Sequence, residues 1–156
     1  MSNKPPAAKK GEVLKSARIA VIAARFNERI VDELLRGCIA RLGELGCQSS
    51  KTEIHRVPGA FELPVAAKWA GMSGCSAVIC LGAVIRGQTP HFDFVAGEAA
   101  RGIQRVAIDL GIPVIFGVLT TNNERQARQR LDAGKRAAEA AVEMLRLKNS
   151  LRKKPR

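Results

Sequence analysis

Tyrosine is missing from this chain of 156 residues, and its aromatic complement is one Trp and five Phe. A platform that stacks nucleobases needs several flat side chains on one surface, so that class of nucleic-acid binder is not indicated. Cysteine occurs four times, at Cys38, Cys47, Cys75 and Cys80, but no two are separated by two residues. The paired spacing of zinc sites and of redox motifs is therefore lacking. Cys38 and Cys80 fall on the apolar faces of a predicted helix and strand, where a thiol acts as a small hydrophobe, and all four are expected to be reduced packing residues with no metal bound. His55, in a strand-like run, is read as a structural or surface histidine. No apolar run is long enough to cross a bilayer, and residues 1–17 lack the apolar core of a signal peptide, so a cytoplasmic protein is expected. There is no internal repeat and no low-complexity core.

What the chain does have is charge, with a formal net of +12. Divided along the sequence, that charge loses most of its meaning as a nucleic-acid signal. Residues 1–17 hold Lys4, Lys9, Lys10 and Lys15 against Glu12, and residues 145–156 hold Arg146, Lys148, Arg152, Lys153, Lys154 and Arg156 with no acid, so only +3 remains for residues 18–144. Pro5-Pro6, Lys9-Lys10 and Gly11 give the first segment the composition of a mobile tail. Residues 1–17 and 149–156 are read as solvated basic tails around one domain, 18–148, and no specific nucleic-acid partner is expected. A hydrophobic content of 46% suffices for one core of ordinary size.

Within that domain apolar runs and helical patterns alternate. Residues 19–23, 52–57, 77–81 and 112–119 read as strands, the second more polar and suited to a sheet edge. Between them Ile30, Leu34, Leu35, Cys38, Ile39, Leu42 and Leu45 mark one helical face ending at Gly46. Residues 61–70 suit a helix with Pro64 in its first turn, and Phe92, Val95, Ala96, Ala99, Ile103, Val106 and Leu110 mark a third helix. Thr121-Asn122-Asn123-Glu124 has the form of a capping box, and the remainder is helical to about Lys148 with an interruption near Asp132-Ala133-Gly134. The order βαβαβαβαα requires right-handed crossovers and a parallel sheet covered on both faces, a three-layer α/β/α sandwich with four strands.

Ligands of such sheets bind beyond the carboxyl ends of the strands. Those ends carry Phe26-Asn27, Pro58-Gly59-Ala60-Phe61-Glu62, the segment from Val84 to His91, and Phe116 to Thr121. Singly, a Phe packs, a Glu caps and a His sits on the surface, but together on one edge they point to a site. The segment Gly82-Ala83-Val84-Ile85-Arg86-Gly87-Gln88-Thr89-Pro90-His91-Phe92-Asp93 carries the sharpest expectation. An apolar strand enters a glycine-bracketed loop that opens a helix, with Thr89 as N-cap and Pro90 at the first helical position. Free amides and the helix dipole favour a phosphate there, and His91 adds a proton-transfer group.

Arg25-Phe26-Asn27, Val57 to Pro64, Leu81 to Asp93 and Phe116-Gly117-Val118-Leu119-Thr120-Thr121, in this order over roughly residues 18–148, resemble the 6,7-dimethyl-8-ribityllumazine synthases. The resemblance implies a flavodoxin-like fold. It also implies condensation of 5-amino-6-(D-ribitylamino)uracil with 3,4-dihydroxy-2-butanone 4-phosphate, releasing phosphate and water, with no cofactor and no metal. By matching position, Phe26 stacks on the pyrimidine, Ala60, Phe61 and Glu62 line the pocket and bind the ribityl chain, and backbone groups of Val84 and Ile85 meet the pyrimidine edge. Gln88 and Thr89 give amides to the phosphate, His91 transfers protons, and Phe116 reaches in from the neighbouring subunit. Arg130 is the phosphate's charge partner and Lys135 the second basic residue, with Arg128 and Arg136 as rivals, because the segment from Leu131 to Arg136 is shorter than in many members. The same resemblance implies a homo-oligomer with sites between subunits, and the shortened segment, where members that form larger shells often carry a glycine-containing signature, favours a pentamer over such a shell. The alternative is a non-catalytic member that binds flavin or lumazine, or one that serves as a shell.

Overall fold

The computed structural model describes residues 13–152. Strands β1 (Ile19–Ala24), β2 (Thr52–Val57), β3 (Ala77–Ile85) and β4 (Val114–Thr121) form one all-parallel sheet in the order β2-β1-β3-β4. All six residues of β1 are buried. A central parallel strand has helices on both faces and cannot alternate apolar with polar, which is why Ile-Ala-Val-Ile-Ala-Ala forms it. Alternate strand residues feed two cores. Ile19, Val21, Ala77, Ile79 and Leu119 pack with α1 (Val13–Ser16), α2 (Glu28–Glu44), Ala127 of α5 (Glu124–Arg128) and α6 (Ala133–Arg152). Ala20, Ile22, Val78, Cys80 and Val118 pack with α3 (Leu63–Met72) and α4 (His91–Leu110). The three-layer α/β/α architecture is the expected one. β2 is an edge strand as its polarity predicted, with His55 exposed and its Nε2 3.0 Å from Glu53 Oε2.

All four cysteines are free and buried. Burial pushes the Cys38 and Cys80 thiols up to about 12, so they remain protonated hydrophobes.

Several expectations shift. Residues 1–17 are not tail throughout: α1 begins at Val13, and Leu14 and Ala17 are buried in the core shared with α6. α6 runs past Lys148 to Arg152, so the helix takes up half of the segment read as a C-terminal tail. The remaining tail residues, 1–12 and 153–156, lie outside the described residues. β3 extends four residues beyond Leu81, because β4 continues to pair with it as far as Ile85↔Thr121. The expected capping box is displaced by two residues. Asn123 is the N-cap of α5, its side chain accepting from the Gln126 N–H, while the Thr121 hydroxyl donates to the Asn123 carbonyl.

The helical interruption also moves. It spans residues 129–132, and Gly134 lies inside α6. A Cβ there would collide with the Leu34 carbonyl oxygen of α2, and the carbonyl carbon and Cα of Leu34 stand 2.7 and 2.8 Å from the same point. This glycine lets two backbones approach rather than breaking a helix.

Candidate active site

The strand order reverses between β1 and β3, since the chain crosses from β1 to β2 on one side and later builds β3 and β4 on the other. A crevice opens beyond the carboxyl ends at such a point. Here it is a pocket of about 640 Å³, lined from β1 by Phe26 and Asn27, from β2 by Pro58 to Glu62, and from β3 and α4 by Ala83, Val84, Ile85, Gly87, Thr89, His91, Phe92, Phe94 and Val95. A volume of this size suits a small organic molecule.

Two backbone bonds carry the β1–β2 pairing past the sheet, Arg25 N–H to the Val57 carbonyl at 2.8 Å and Phe26 N–H to the Pro58 carbonyl at 3.0 Å. They bring Phe26 beside the Pro58–Glu62 turn. Phe26 is 73% exposed and Phe61 57%, which removes both from the core and leaves their rings as pocket walls. Asn27 follows at φ 60°, ψ 45°, a left-handed conformation that Asn tolerates better than most side chains. Its Nδ2 donates to the Ala83 carbonyl at 2.7 Å and so ties the end of β1 to β3. Glu62 does cap, with Oε2 accepting from the Gly59 N–H at 3.0 Å, yet it also lines the pocket.

β3 pairs with β1 only as far as Leu81 but with β4 as far as Ile85, so its last residues present one free edge toward the pocket. Peptide groups alternate sides along a strand. Ala83 turns its carbonyl to Asn27, and Ile85, two residues on, faces the same way.

The loop then differs from expectation in one respect. α4 starts at His91 with Pro90 in the cap position, and the Asp93 N–H closes on the Pro90 carbonyl at 3.0 Å, so Thr89 is not the N-cap. Among the described residues the amides of Gly87, Gln88 and Thr89 have no acceptor. The loop is exposed, with Thr89 on the pocket wall and Gln88 outside it.

The four candidate cations divide cleanly. Arg128 pairs with Glu124 at 2.8 Å and Arg136 with Asp132 at 3.3 Å. Among the described residues Arg130 has only the Gln126 carbonyl, at 2.9 Å, and Lys135 is exposed with no carboxylate partner. Neither lines the pocket.

Phe116 is the plain misplacement. It is the third residue of β4, opposite Cys80, and not at the carboxyl end of the strand. It is 42% exposed and absent from the pocket. The apolar run 112–119 had suggested an earlier strand, and pairing with β3 moves β4 toward Thr121.

Sequence reasoning missed Asn27, Arg86, Phe92 and Phe94 as individuals. Asn27 could have been suspected, since Asn enters the left-handed region more readily than most side chains. Phe94 shows itself only by being 68% exposed in a helix whose apolar stripe lies elsewhere. No helix among the described residues is long and apolar enough to cross a membrane, and no cluster of three or more His, Cys, Asp or Glu that could hold a metal occurs among them.

The family described as 6,7-dimethyl-8-ribityllumazine synthase matches residues 16–149. A 6,7-dimethyl-8-ribityllumazine synthase of Nitratidesulfovibrio vulgaris (strain DSM 19637 / Miyazaki F) is 48% identical over 134 residues, covering 84% of this chain and 86% of that protein. Those of Chlorobium phaeobacteroides and Protochlamydia amoebophila are 47% and 42% identical, covering 88% of this chain in each case and 91% and 84% of those proteins. A pocket at the strand switch point, open amides beside a histidine and similarity running through nearly the whole domain agree: the chain belongs to the 6,7-dimethyl-8-ribityllumazine synthase family, the transferases that make this lumazine in riboflavin biosynthesis.

Proposed function

We propose that the pocket between Phe26, Phe61 and the Gly87–Thr89 loop is where 5-amino-6-(D-ribitylamino)uracil condenses with 3,4-dihydroxy-2-butanone 4-phosphate. The observation that carries this is the set of partnerless amides at Gly87, Gln88 and Thr89 standing one turn from His91 on the rim of an apolar, aromatic crevice. An oxyanion suits the amides, a flat ring suits the crevice, and proton traffic suits the imidazole.

In this reading Phe26 stacks on the pyrimidine, the end of β3 at Val84 and Ile85, with the peptide groups of Ile85 on its free edge, meets the polar rim, and Ala60, Phe61 and Glu62 hold the ribityl chain. Gln88 and Thr89 give their amides to the phosphate, with Arg130 as the charge partner and Lys135 as the second cation. The 5-amino group attacks the ketone carbon and water leaves as the imine forms, so no enzyme nucleophile is required. Orientation, proton transfer through His91 and departure of phosphate remain for the protein. The working unit is a homopentamer in the cytoplasm, with Phe116 of one subunit closing the site of the next. Exposed apolar side chains on α3 (Val65, Trp69, Met72), on α4 (Phe94, Ile108) and at Phe116 support a covered surface.

Incubating purified protein with both substrates and following lumazine absorbance tests the reading. Product must form faster than in the enzyme-free mixture. A rate equal to that background, from folded protein, would sink the catalytic reading and leave lumazine binding in its place.

A further inference from the structure

Arg86 stands one residue past β3, at the start of the loop, and four contacts fix it. Its N–H donates to the Thr121 carbonyl at 2.8 Å. Its Nε donates to Asn122 Oδ1 at 3.0 Å, its guanidinium carbon lies 4.3 Å from the centroid of the Phe92 ring, and Nη1 is 3.5 Å from Asp93 Oδ1. Among the described residues no other side chain from Arg86 to Pro90 has a hydrogen-bond partner. The loop is therefore held to the rest of the fold by this one side chain.

The contacts lead further. Asn122 gives its N–H to Gln126 Oε1 at 2.8 Å, and the Gln126 carbonyl accepts from Arg130 Nη1 at 2.9 Å. A continuous path of hydrogen bonds thus joins the loop to Arg130 through the first turn of α5. In the other direction, Phe92 and Asp93 tie Arg86 to the helix start that carries His91.

We infer that Arg86 is a positioning residue for phosphate capture: it sets the Gly87–Thr89 amides, the His91 turn and the Arg130 segment in one frame without itself binding substrate. With Nε given to Asn122, Nη1 facing Asp93 and its face on Phe92, the guanidinium is already engaged. Lysine cannot replace it, because a point charge on a flexible stem cannot hold an amide oxygen and cover a ring at once. The inference rests on the proposal that phosphate occupies this loop.

The test compares Arg86→Ala, Arg86→Lys and Asn122→Ala with the unaltered protein. Inorganic phosphate binding is measured by calorimetry, with KM for each substrate and the melting temperature alongside. Both Ala variants should weaken phosphate binding and raise KM for the butanone phosphate by roughly tenfold, the scale on which partners that orient a binding group act. KM for the uracil should hold, Arg86→Lys should not rescue, and the double variant should add little to either single one. Asn122 carries no charge, so its effect separates positioning from attraction. Full rescue by lysine, an unchanged Asn122→Ala, or a lowered melting temperature with both KM values moved alike would each overturn the inference. So would an unaltered protein that does not bind phosphate. If that protein binds phosphate but forms no lumazine, the proposed reaction fails while the Arg86 comparison is still decided by calorimetry.

Discussion

At the scale of single residues the site is made by exposure as much as by burial. Phe26 and Phe61 are largely exposed rather than packed in the core, and His91 opens a helix on the surface. Replacing His91 by Ala should therefore leave the melting temperature unchanged and lower kcat by about 10²-fold or less, since only a proton-transfer group is removed. An unchanged kcat in the two-substrate assay takes His91 out of the mechanism. The pocket residues Phe26, Ala60, Phe61, Glu62, Val84, Ile85, Thr89 and His91 were legible in the chain because strand ends are legible, and parallel strands place their ends together. Arg86 was not. Its role depends on Asn122 and Phe92, and the first of these lies 36 positions away in sequence. Likewise Thr89 was expected to cap α4, whereas the first turn closes one residue later, with the Asp93 N–H on the Pro90 carbonyl.

Helices and strands were legible where hydrophobic period decides them and less so where a neighbour does. α2 and the four strands follow their patterns, but β3 and β4 extend each other by pairing, a property of neither segment alone. Gly134 is the clearest case. In the sequence it reads as a helix breaker, whereas the fold uses its missing side chain to seat α6 against the backbone of α2 at Leu34. The colliding atoms are main-chain atoms in the middle of a helix, so no side-chain rotation relieves them. Gly134→Ala should destabilise the protein by about 1–3 kcal/mol or more by overpacking, although alanine is by far the better helix former. Denaturant unfolding measures the loss; a variant as stable as the parent would show that the α2–α6 crossing opens freely. The exposed Gly97 of α4, whose Cβ would meet nothing within 4 Å, supplies the contrast, and Ala there should be neutral or stabilising.

The whole molecule carries its pocket at one end of the sheet. Its pocket is walled by β1, β2, β3 and the start of α4, while Phe116 lies partway along the edge strand β4 and lines none of it. Strand alternation puts Phe116 on the same face as Val114 and Val118, the α3/α4 side, where Trp69, Met72 and Ile108 are also exposed. If one subunit's Phe116 closes its neighbour's pocket, the contact joins two different surfaces, and such head-to-tail contacts build a ring where their rotation closes. A ring of five should show a solution mass about five times the 16.8 kDa of the chain. Mass alone cannot tell whether the site is shared, but mixed rings can. His91→Ala and Phe116→Ser should each be impaired when pure. Co-assembled from a denatured mixture, some interfaces then pair an intact His91 with an intact Phe116, and activity should exceed the average of the two parents. A mixture confirmed to contain both variants in one ring, yet no more active than that average, means that each site takes both residues from a single chain.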